Sequence, residues 1–190
     1  MTLTSSQPKT YTVEEYLALE IESDLRHEYC HGEIIPMTGG TPEHNKIASA
    51  LNALLWFALR GKPYSLFITD QRLWIPSTDF HTYPDVMVIA DPVDLKPGRK
   101  DTVTNPLLLA EVLSDSTENY DRGDKFEAYR TLPSLQEYLL IDQSRPHLEQ
   151  YVRQSEHRWL FTEYIGLGTR VQLASLGVEI ALQDLYQGVI

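Results

Sequence analysis

The stretches PDVMVIA at residues 84–90 and LLLAEVL at residues 107–113 decide which fold this chain can adopt. Each is almost entirely apolar, which is typical of central strands that are buried on both faces of a sheet. Each also contains one acidic residue, Asp85 in the first stretch and Glu111 in the second. A buried carboxylate costs free energy unless it is paired or bound to a metal. Two such groups on adjacent strands could share one cation, and either one alone could instead sit at a strand end in contact with solvent.

Helical patterns flank these strands. The clearest one covers residues 42–59, because Thr41 occupies the N-cap position, Pro42 occupies the N1 position, and Gly61 with Pro63 would end the helix. Apolar spacing also predicts helices at residues 12–20, 121–132 and 182–186.

Strand patterns occupy most of the remaining chain. Residues 26–37 alternate around His31-Gly32, which indicates two short strands joined by a tight turn. Residues 91–105 are predicted to form a loop. Further strands are predicted at residues 65–69, 71–75, 137–142, 147–153 and 159–164, and near Val178. The resulting order of helices and strands along the chain predicts an α/β sandwich with a mixed sheet.

The length and composition fit one domain. A chain of 190 residues lies within the usual range for a single domain, so we expect one domain over residues 1–190 with a flexible lead at residues 1–10. The only cysteine, Cys30, cannot form an internal disulfide, which fits a reducing cytoplasm. No run of about 18 apolar residues is present, so no membrane span is expected, and the polar N-terminus lacks a signal pattern.

The net charge of −11 limits the function classes. It counts against a protein that coats nucleic acid, because phosphate binding usually appears as a basic surface. It does not exclude a nuclease, because carboxylates are needed to hold Mg²⁺ and the metal supplies local positive charge.

Lys125 falls in the helix predicted after the second apolar strand. From there its ammonium group could reach the two acids, orient a water molecule or stabilise negative charge on a phosphorane. The alternative is an exposed helical lysine that pairs with Asp121 at i−4.

A weaker metal-binding pattern lies upstream, in the order His27, Glu28, Cys30, His31. A tetrahedral zinc site would need a second ligand pair at a suitable spacing. The chain contains no P-loop and no G-x-S-x-G motif. The sequence therefore indicates neither P-loop nucleotide binding nor the nucleophilic serine of an α/β-hydrolase.

Several motifs in the same order resemble the PD-(D/E)xK nuclease superfamily, and especially its Uma-type family of restriction endonucleases. The resemblance covers about residues 12–152. Its central motifs are YPDV at 83–86, LAEVLS at 109–114, and Asp121 followed by Asp124-Lys125 and Tyr129. Supporting motifs are RHEY at 26–29, GEI at 32–34, PEH at 42–44 and EYLLID at 137–142.

The resemblance implies a restriction-endonuclease-like fold, with a central mixed β-sheet flanked by helices and additional strands at the C-terminus. It also implies an endonuclease that hydrolyses DNA phosphodiester bonds with Mg²⁺ or Mn²⁺. Asp85, Glu111 and the Val112 carbonyl would bind the metal. The superfamily lysine position is Leu113 here, and Lys125 in the next helix would take its role.

The resemblance leaves some roles open. His44 matches a histidine that could bind phosphate, move a proton or support a metal ligand, and it could also simply bond the preceding loop. One of Glu28 and Glu33 could face the site, but the pattern does not distinguish them.

Two further hypotheses concern assembly and activity. Restriction-type folds often cut both strands as pairs, and the β-rich tail after Asp142 favours a homodimer. The alternative function is a catalytically inactive nuclease fold that serves as an interaction or regulatory module. The acidic net charge and the displaced lysine favour that alternative.

Overall fold

The computed structural model describes residues 9–114 and 117–190. The predicted flexible lead at residues 1–10 therefore lies largely outside the described residues. The helices are α1 (Val13–Glu22), α2 (Pro42–Leu59), α3 (Glu118–Tyr120), α4 (Phe126–Tyr129) and α5 (Leu182–Leu185). A π-helical turn (Asp121–Lys125) joins α3 to α4 without a break in helical backbone angles.

Within the described residues, the strands form three sheets. The strands are β1 (His27–Cys30), β2 (Glu33–Pro36), β3 (Tyr64–Ile68), β4 (Arg72–Ile75), β5 (Phe80–Thr82), β6 (Val86–Ala90), β7 (Thr102–Val103), β8 (Leu108–Leu113), β9 (Glu137–Asp142), β10 (His147–Ser155), β11 (Arg158–Ile165), β12 (Arg170–Leu173) and β13 (Val178–Ala181).

The largest sheet has six strands in the order β11-β10-β9-β8-β6-β3. It is mixed, because β8 and β9 are parallel while the other neighbours are antiparallel. A five-stranded sheet has the order β2-β1-β5-β4-β7, and β12 pairs with β13.

The central strands β6, β8 and β9 of the six-stranded sheet are covered on both faces, as their apolar sequences predict. Along β6, Val86 and Val88 belong to the core that includes Leu51 of α2. Met87 belongs to a second core on the opposite face, which includes Leu73 of the five-stranded sheet. The predicted α/β architecture with a mixed sheet is therefore confirmed.

Strand register places several acidic residues in one row of the six-stranded sheet. Glu111 on β8 pairs with Leu140 on β9, and Leu140 pairs with Glu149 on β10. Glu149 in turn pairs with Glu163 on β11. Paired residues on neighbouring strands point to the same face. Leu140 belongs to the second core, so Glu111 lies between the sheet and the layer that covers this face.

The structure corrects parts of the predicted element map. The loop prediction for residues 91–105 is wrong at Thr102–Val103, which form β7 by parallel pairing with β4. The sequence patterns also do not predict β5 and β12, because strands of three and four residues are too short to show a clear alternation. The helical segment predicted at 121–132 begins earlier, at Glu118, and ends at Tyr129. Among the described residues, no helix is long and apolar enough to cross a membrane.

Candidate active site

The two acids singled out by the sequence meet in the structure. Asp85 lies immediately before β6, and Glu111 lies in the neighbouring strand β8. The backbone N–H of Asp85 donates to Glu111 Oε2 over 3.3 Å, and the N–H of Val112 donates to Asp85 Oδ2 over 2.8 Å. Both carboxylates are almost fully buried. The structure thus brings Asp85 and Glu111 to one place, while the Val112 carbonyl as a metal ligand stays a prediction.

Lys125 lies among three carboxylates. Its Nζ atom is 3.3 Å from Glu111 Oε1, 3.2 Å from Glu28 Oε1 and 3.2 Å from Asp121 Oδ1. The predicted i−4 pair with Asp121 therefore exists, but the lysine is buried rather than exposed. The π-helical turn presents both ends of this pair, Asp121 and Lys125, to the interior.

Glu28, and not Glu33, faces the site. Glu28 is 4% exposed and accepts hydrogen bonds from the hydroxyls of Thr82 and Tyr120, whereas Glu33 is exposed. The alternation of inward and outward side chains along a strand could not distinguish Glu28 from Glu33, because Glu28 and its neighbour Tyr29 are both buried in β1.

His44 reaches Asp85 from the first turn of α2. Its Nε2 atom lies 3.1 Å from Asp85 Oδ1. Thr41 fixes this turn, because its hydroxyl accepts from the His44 N–H and donates to Gln143 Oε1. Gly40 leaves space for the imidazole, since a Cβ there would lie 2.8 Å from His44 Cδ2.

Two tyrosines support the acids, and sequence reasoning assigned neither of them a role. The Tyr129 hydroxyl donates to Glu111 Oε1 over 2.6 Å, and the Tyr138 hydroxyl donates to the Asp121 carbonyl over 3.0 Å. Tyr129 did appear in the motif shared with the Uma-type family, so a signal was present, but it gave no indication of a contact.

The site carries excess negative charge. Burial raises the pKa of Glu111 to about 8, and the charges of Asp85 and Asp121 raise it while Lys125 lowers it. Burial also raises the pKa of Asp121. For Lys125, burial favours the neutral amine, but the carboxylates of Glu111, Glu28 and Asp121 outweigh it and raise its pKa well above the usual value. Lys125 is therefore an ammonium ion.

The pKa of His44 is also set by burial on one side and a neighbouring carboxylate on the other. Its burial lowers the pKa, but the hydrogen bond to Asp85 and the charge of Asp85 outweigh this effect, so the pKa of His44 is raised. In this His44–Asp85 pair, the imidazole Nε2 atom faces a carboxylate oxygen that can accept a hydrogen bond from it.

The donor set fits a hard divalent cation. Mg²⁺ and Mn²⁺ prefer carboxylate oxygens, and Asp85 and Glu111 supply them from rigid strands. Asp121 does not belong to this pair of donors, because its buried Oδ1 atom lies 3.2 Å from the Lys125 ammonium and is balanced by it.

The weaker zinc pattern is not assembled. His27 Nδ1 pairs with Glu20, Glu28 contacts Lys125, and Cys30 lies beside the adjacent His31. Within the described ranges, these residues do not form a group of three potential ligands.

A group of three potential ligands does occur elsewhere in the described part of the chain, namely His147, Glu149 and Glu163. Its charges are already paired, because Arg122 binds Glu149 at 2.8 Å and His147 lies 3.0 Å from Glu163. Glu149 is two strands from Glu111, which corresponds to about 10 Å of strand spacing. This separation exceeds the roughly 4 Å between the ions of a two-metal centre, so the group is distinct from the Asp85–Glu111 site.

Comparison with known proteins gives concordant matches. The family model described as "Uma2: Putative restriction endonuclease" matches residues 13–183. Two proteins of Synechocystis sp. (strain ATCC 27184 / PCC 6803 / Kazusa) are similar over most of their length. "Uncharacterized protein sll1609" is 39% identical over 170 residues, which cover 90% of this chain and 96% of that protein. "Uncharacterized protein slr1290" is 38% identical over 177 residues, which cover 92% and 90%.

A solved structure shares the fold. It is the crystal structure of "a putative nuclease belonging to DUF820" from Anabaena variabilis, with a TM-score of 0.75. The match covers 94% of this chain and 99% of that chain at 18% sequence identity. At this identity, the likeness concerns the fold alone.

Proposed function

Because this chain belongs to the Uma2 family of restriction-endonuclease-like proteins, we propose that it is an endonuclease that hydrolyses DNA phosphodiester bonds with Mg²⁺ or Mn²⁺. One observation carries the proposal. Asp85 and Glu111 come from adjacent strands, meet in a buried site, and lie beside the ammonium group of Lys125.

Each residue has a distinct part in the proposed reaction. Asp85, Glu111 and the Val112 carbonyl would hold the cation, whose chemistry when bound is to polarise the scissile phosphate and activate a water molecule. Lys125 remains protonated among its three carboxylates, so it supplies positive charge to the phosphorane and does not accept a proton. His44 fixes the orientation of Asp85 through its hydrogen bond.

The direct test is nicking of plasmid DNA in Mg²⁺ and Mn²⁺. We expect Asp85→Asn and Glu111→Gln to abolish nicking while the circular dichroism spectrum is preserved. Lys125→Met should lower the rate by about 10²–10³-fold, as expected when a preorganised charge is removed. Lys100→Met is the matched control, because Lys100 is exposed. If the wild-type protein nicks neither single- nor double-stranded DNA in any divalent metal, the proposal fails.

The alternative is a catalytically inactive interaction or regulatory module. The net charge of −11 and the location of the lysine outside the strand favour it. Calorimetry with Mn²⁺ separates the two proposals. Binding that is lost in Asp85→Asn supports the enzyme, whereas no binding at millimolar Mn²⁺ supports the module.

We also propose that the protein acts as a homodimer in the cytoplasm. The cytoplasmic location is supported by the single cysteine, Cys30, which cannot form an internal disulfide. The dimer is supported by β11, an edge strand of the six-stranded sheet that exposes apolar side chains at Leu160, Phe161 and Ile165.

A further inference from the structure

A cleft with no part in the reaction described above lies between the turn that follows α4 and the end of the β10–β11 hairpin. Its volume is about 790 Å³, which is within the usual range for sites that bind small molecules. Arg130 and Gln136 of the turn line it, together with Arg153 and Trp159 of the hairpin. The described lining contains one carboxylate, Glu156, against the two arginines, so the cleft favours an anionic ligand.

The guanidinium group of Arg153 is held in this cleft without a carboxylate partner. It donates to the carbonyl oxygens of Leu135, Arg130 and Leu132 over 2.7, 2.7 and 2.9 Å. Neutral carbonyls fix the orientation of the group but do not cancel its charge, and Arg153 forms no ion pair within residues 9–114 and 117–190. Its Nη1 atom makes one long contact, 3.4 Å to the Glu156 carbonyl, so at least one N–H remains to donate to a ligand.

The indole ring of Trp159 lies beside this charge. The Arg153 guanidinium is 4.5 Å from the centroid of the ring, and the Phe126 ring meets it at nearly a right angle with 5.4 Å between centroids. Both contacts fix the ring, and Trp159 stays partly exposed. An aromatic ring next to a cationic groove is the combination that binds single-stranded nucleic acid, because a base stacks on the ring and the cations hold neighbouring phosphates.

Arg130 supplies a second positive charge that is available to a phosphate. It occupies the C-cap position of α4, and it is exposed. Its ion pair with Glu127 is long, with 3.8 Å between Arg130 Nη2 and Glu127 Oε1, and both side chains are more than half exposed. An exposed pair of this kind contributes little to stability, so Arg130 can exchange it for a phosphate oxygen.

The cleft and the proposed active site lie on the same face of the six-stranded sheet. Glu149 shares a row with Glu111, and Arg153 lies four residues further along β10, so its side chain points to the same face. Two strands across and four residues along correspond to about 16 Å, which is about the length of five nucleotides in one strand of B-form DNA. Lys125 and Arg130 also belong to one helical segment, about 8 Å apart along its axis. A short stretch of DNA strand is therefore long enough to span the active site and the cleft.

We propose that the cleft binds a single-stranded segment of the DNA substrate, with a base stacked on Trp159 and phosphates bound by Arg130 and Arg153. The identity of the ligand rests on the proposed function. A stacked base must be unpaired, so the segment in the cleft is single-stranded. With its net charge of −11 the protein repels DNA at long range, and the cleft supplies the local positive charge that holds the strand.

The test measures the affinity for a single-stranded oligothymidylate of about ten nucleotides, by fluorescence anisotropy in EDTA so that no metal-dependent cleavage occurs. We expect Trp159→Ala to weaken binding by about tenfold or more, because the stacked base loses its platform. Trp159→Phe keeps an aromatic ring, so its affinity should stay within about threefold of wild type while the quenching of tryptophan fluorescence by the oligonucleotide is lost. Trp56→Ala is the control and should bind within about twofold of wild type, because Trp56 is exposed on α2, outside the cleft.

A second pair of variants tests the phosphate contact. Arg130→Gln should weaken binding and reduce the slope of log K against log salt concentration by about 0.7, the value for one phosphate of a single strand. Arg170→Gln removes the same charge from an exposed arginine on β12, and it should leave the slope unchanged. Thermal melting of each variant shows that the protein is folded.

The outcomes distinguish this inference from the proposed function. If Trp159→Ala binds the oligonucleotide like wild type, the cleft is not the site, and the nuclease proposal stands. If Trp159→Ala instead changes only the oligomeric state, the cleft is an interface between copies, and the inference is equally overturned. If the variants weaken binding as expected but the wild-type protein nicks no DNA in any divalent metal, the cleft is a nucleic-acid site and the nuclease proposal fails.

Discussion

At the scale of single residues, the site depends on contacts that leave no room for an added atom. A Cβ on Gly40 would lie 2.8 Å from Cδ2 and 3.0 Å from Cγ of His44, while a Cβ on Gly39 would meet no atom within 4 Å. The His44 ring is in turn 3.1 Å from Asp85. One methyl group at position 40 would therefore displace the ring from its acceptor.

We expect Gly40→Ala to lower the nicking rate by about tenfold or more, because misplacement by about 1 Å can be costly to catalysis. Gly39→Ala is the matched control and should retain full activity. Neither glycine has a positive φ, so alanine introduces no backbone strain at either position. Equal rates for the two variants, with both proteins folded, would show that the position of His44 does not matter.

At the scale of elements, β5 places His81 in a fully buried position between α1 and β4. Its ring contacts Tyr16, Tyr29 and Trp74. Lys96 Nζ lies 3.0 Å from His81 Nε2, so the ammonium donates to a neutral imidazole. Burial lowers the pKa of His81 from 6.5 to about 4. The charges of Lys96 and Arg72 lower it as well, while Asp79 raises it.

This shift predicts a pH-dependent stability. As the pH falls below 6.5, the unfolded chain binds a proton at His81 before the folded chain does. The contribution of His81 to stability is therefore complete above pH 6.5 and is lost as the pH falls toward 4, by about 3 kcal/mol at most.

We expect His81→Gln to reduce the loss of unfolding free energy between pH 7 and pH 4.5, measured by urea denaturation. Glutamine can still accept from Lys96 and does not titrate. His157→Gln serves as the control, because His157 is exposed. An identical pH slope in wild type and His81→Gln would contradict the prediction.

At the scale of the whole molecule, the six-stranded sheet ends at β3 on one side and at β11 on the other. Pairing of β11 with a second copy would cover its open edge and bury exposed apolar side chains, among them Phe161 at 47% exposure. This geometry would form a closed two-fold assembly.

We expect sedimentation equilibrium to give about twice the chain mass of 21.8 kDa. Phe161→Glu should produce monomers, because it places a charge at the edge that would be buried. Ile21→Glu is the control, since Ile21 is also apolar and exposed but lies on α1. A wild-type protein that stays monomeric at high concentration would dispose of the dimer.

The sequence by itself determined the features that depend on neighbouring residues. The bounds of α2, its Thr41 cap and the two apolar strands follow from local periodicity and capping, because the 3.6-residue and buried-strand patterns are written along the chain. The unusual placement of Asp85 and Glu111 was visible for the same reason.

Only the tertiary structure decided which other side chains join these two acids. Glu28, and not Glu33, contacts Lys125. The sequence could not show this, because consecutive residues of β1 are buried and its side chains do not alternate between core and solvent. Asp121 points inward because a π-helical turn packs over the sheet. Such choices depend on contacts between residues far apart in sequence, such as the pairing of β1 with β5, which local patterns do not encode.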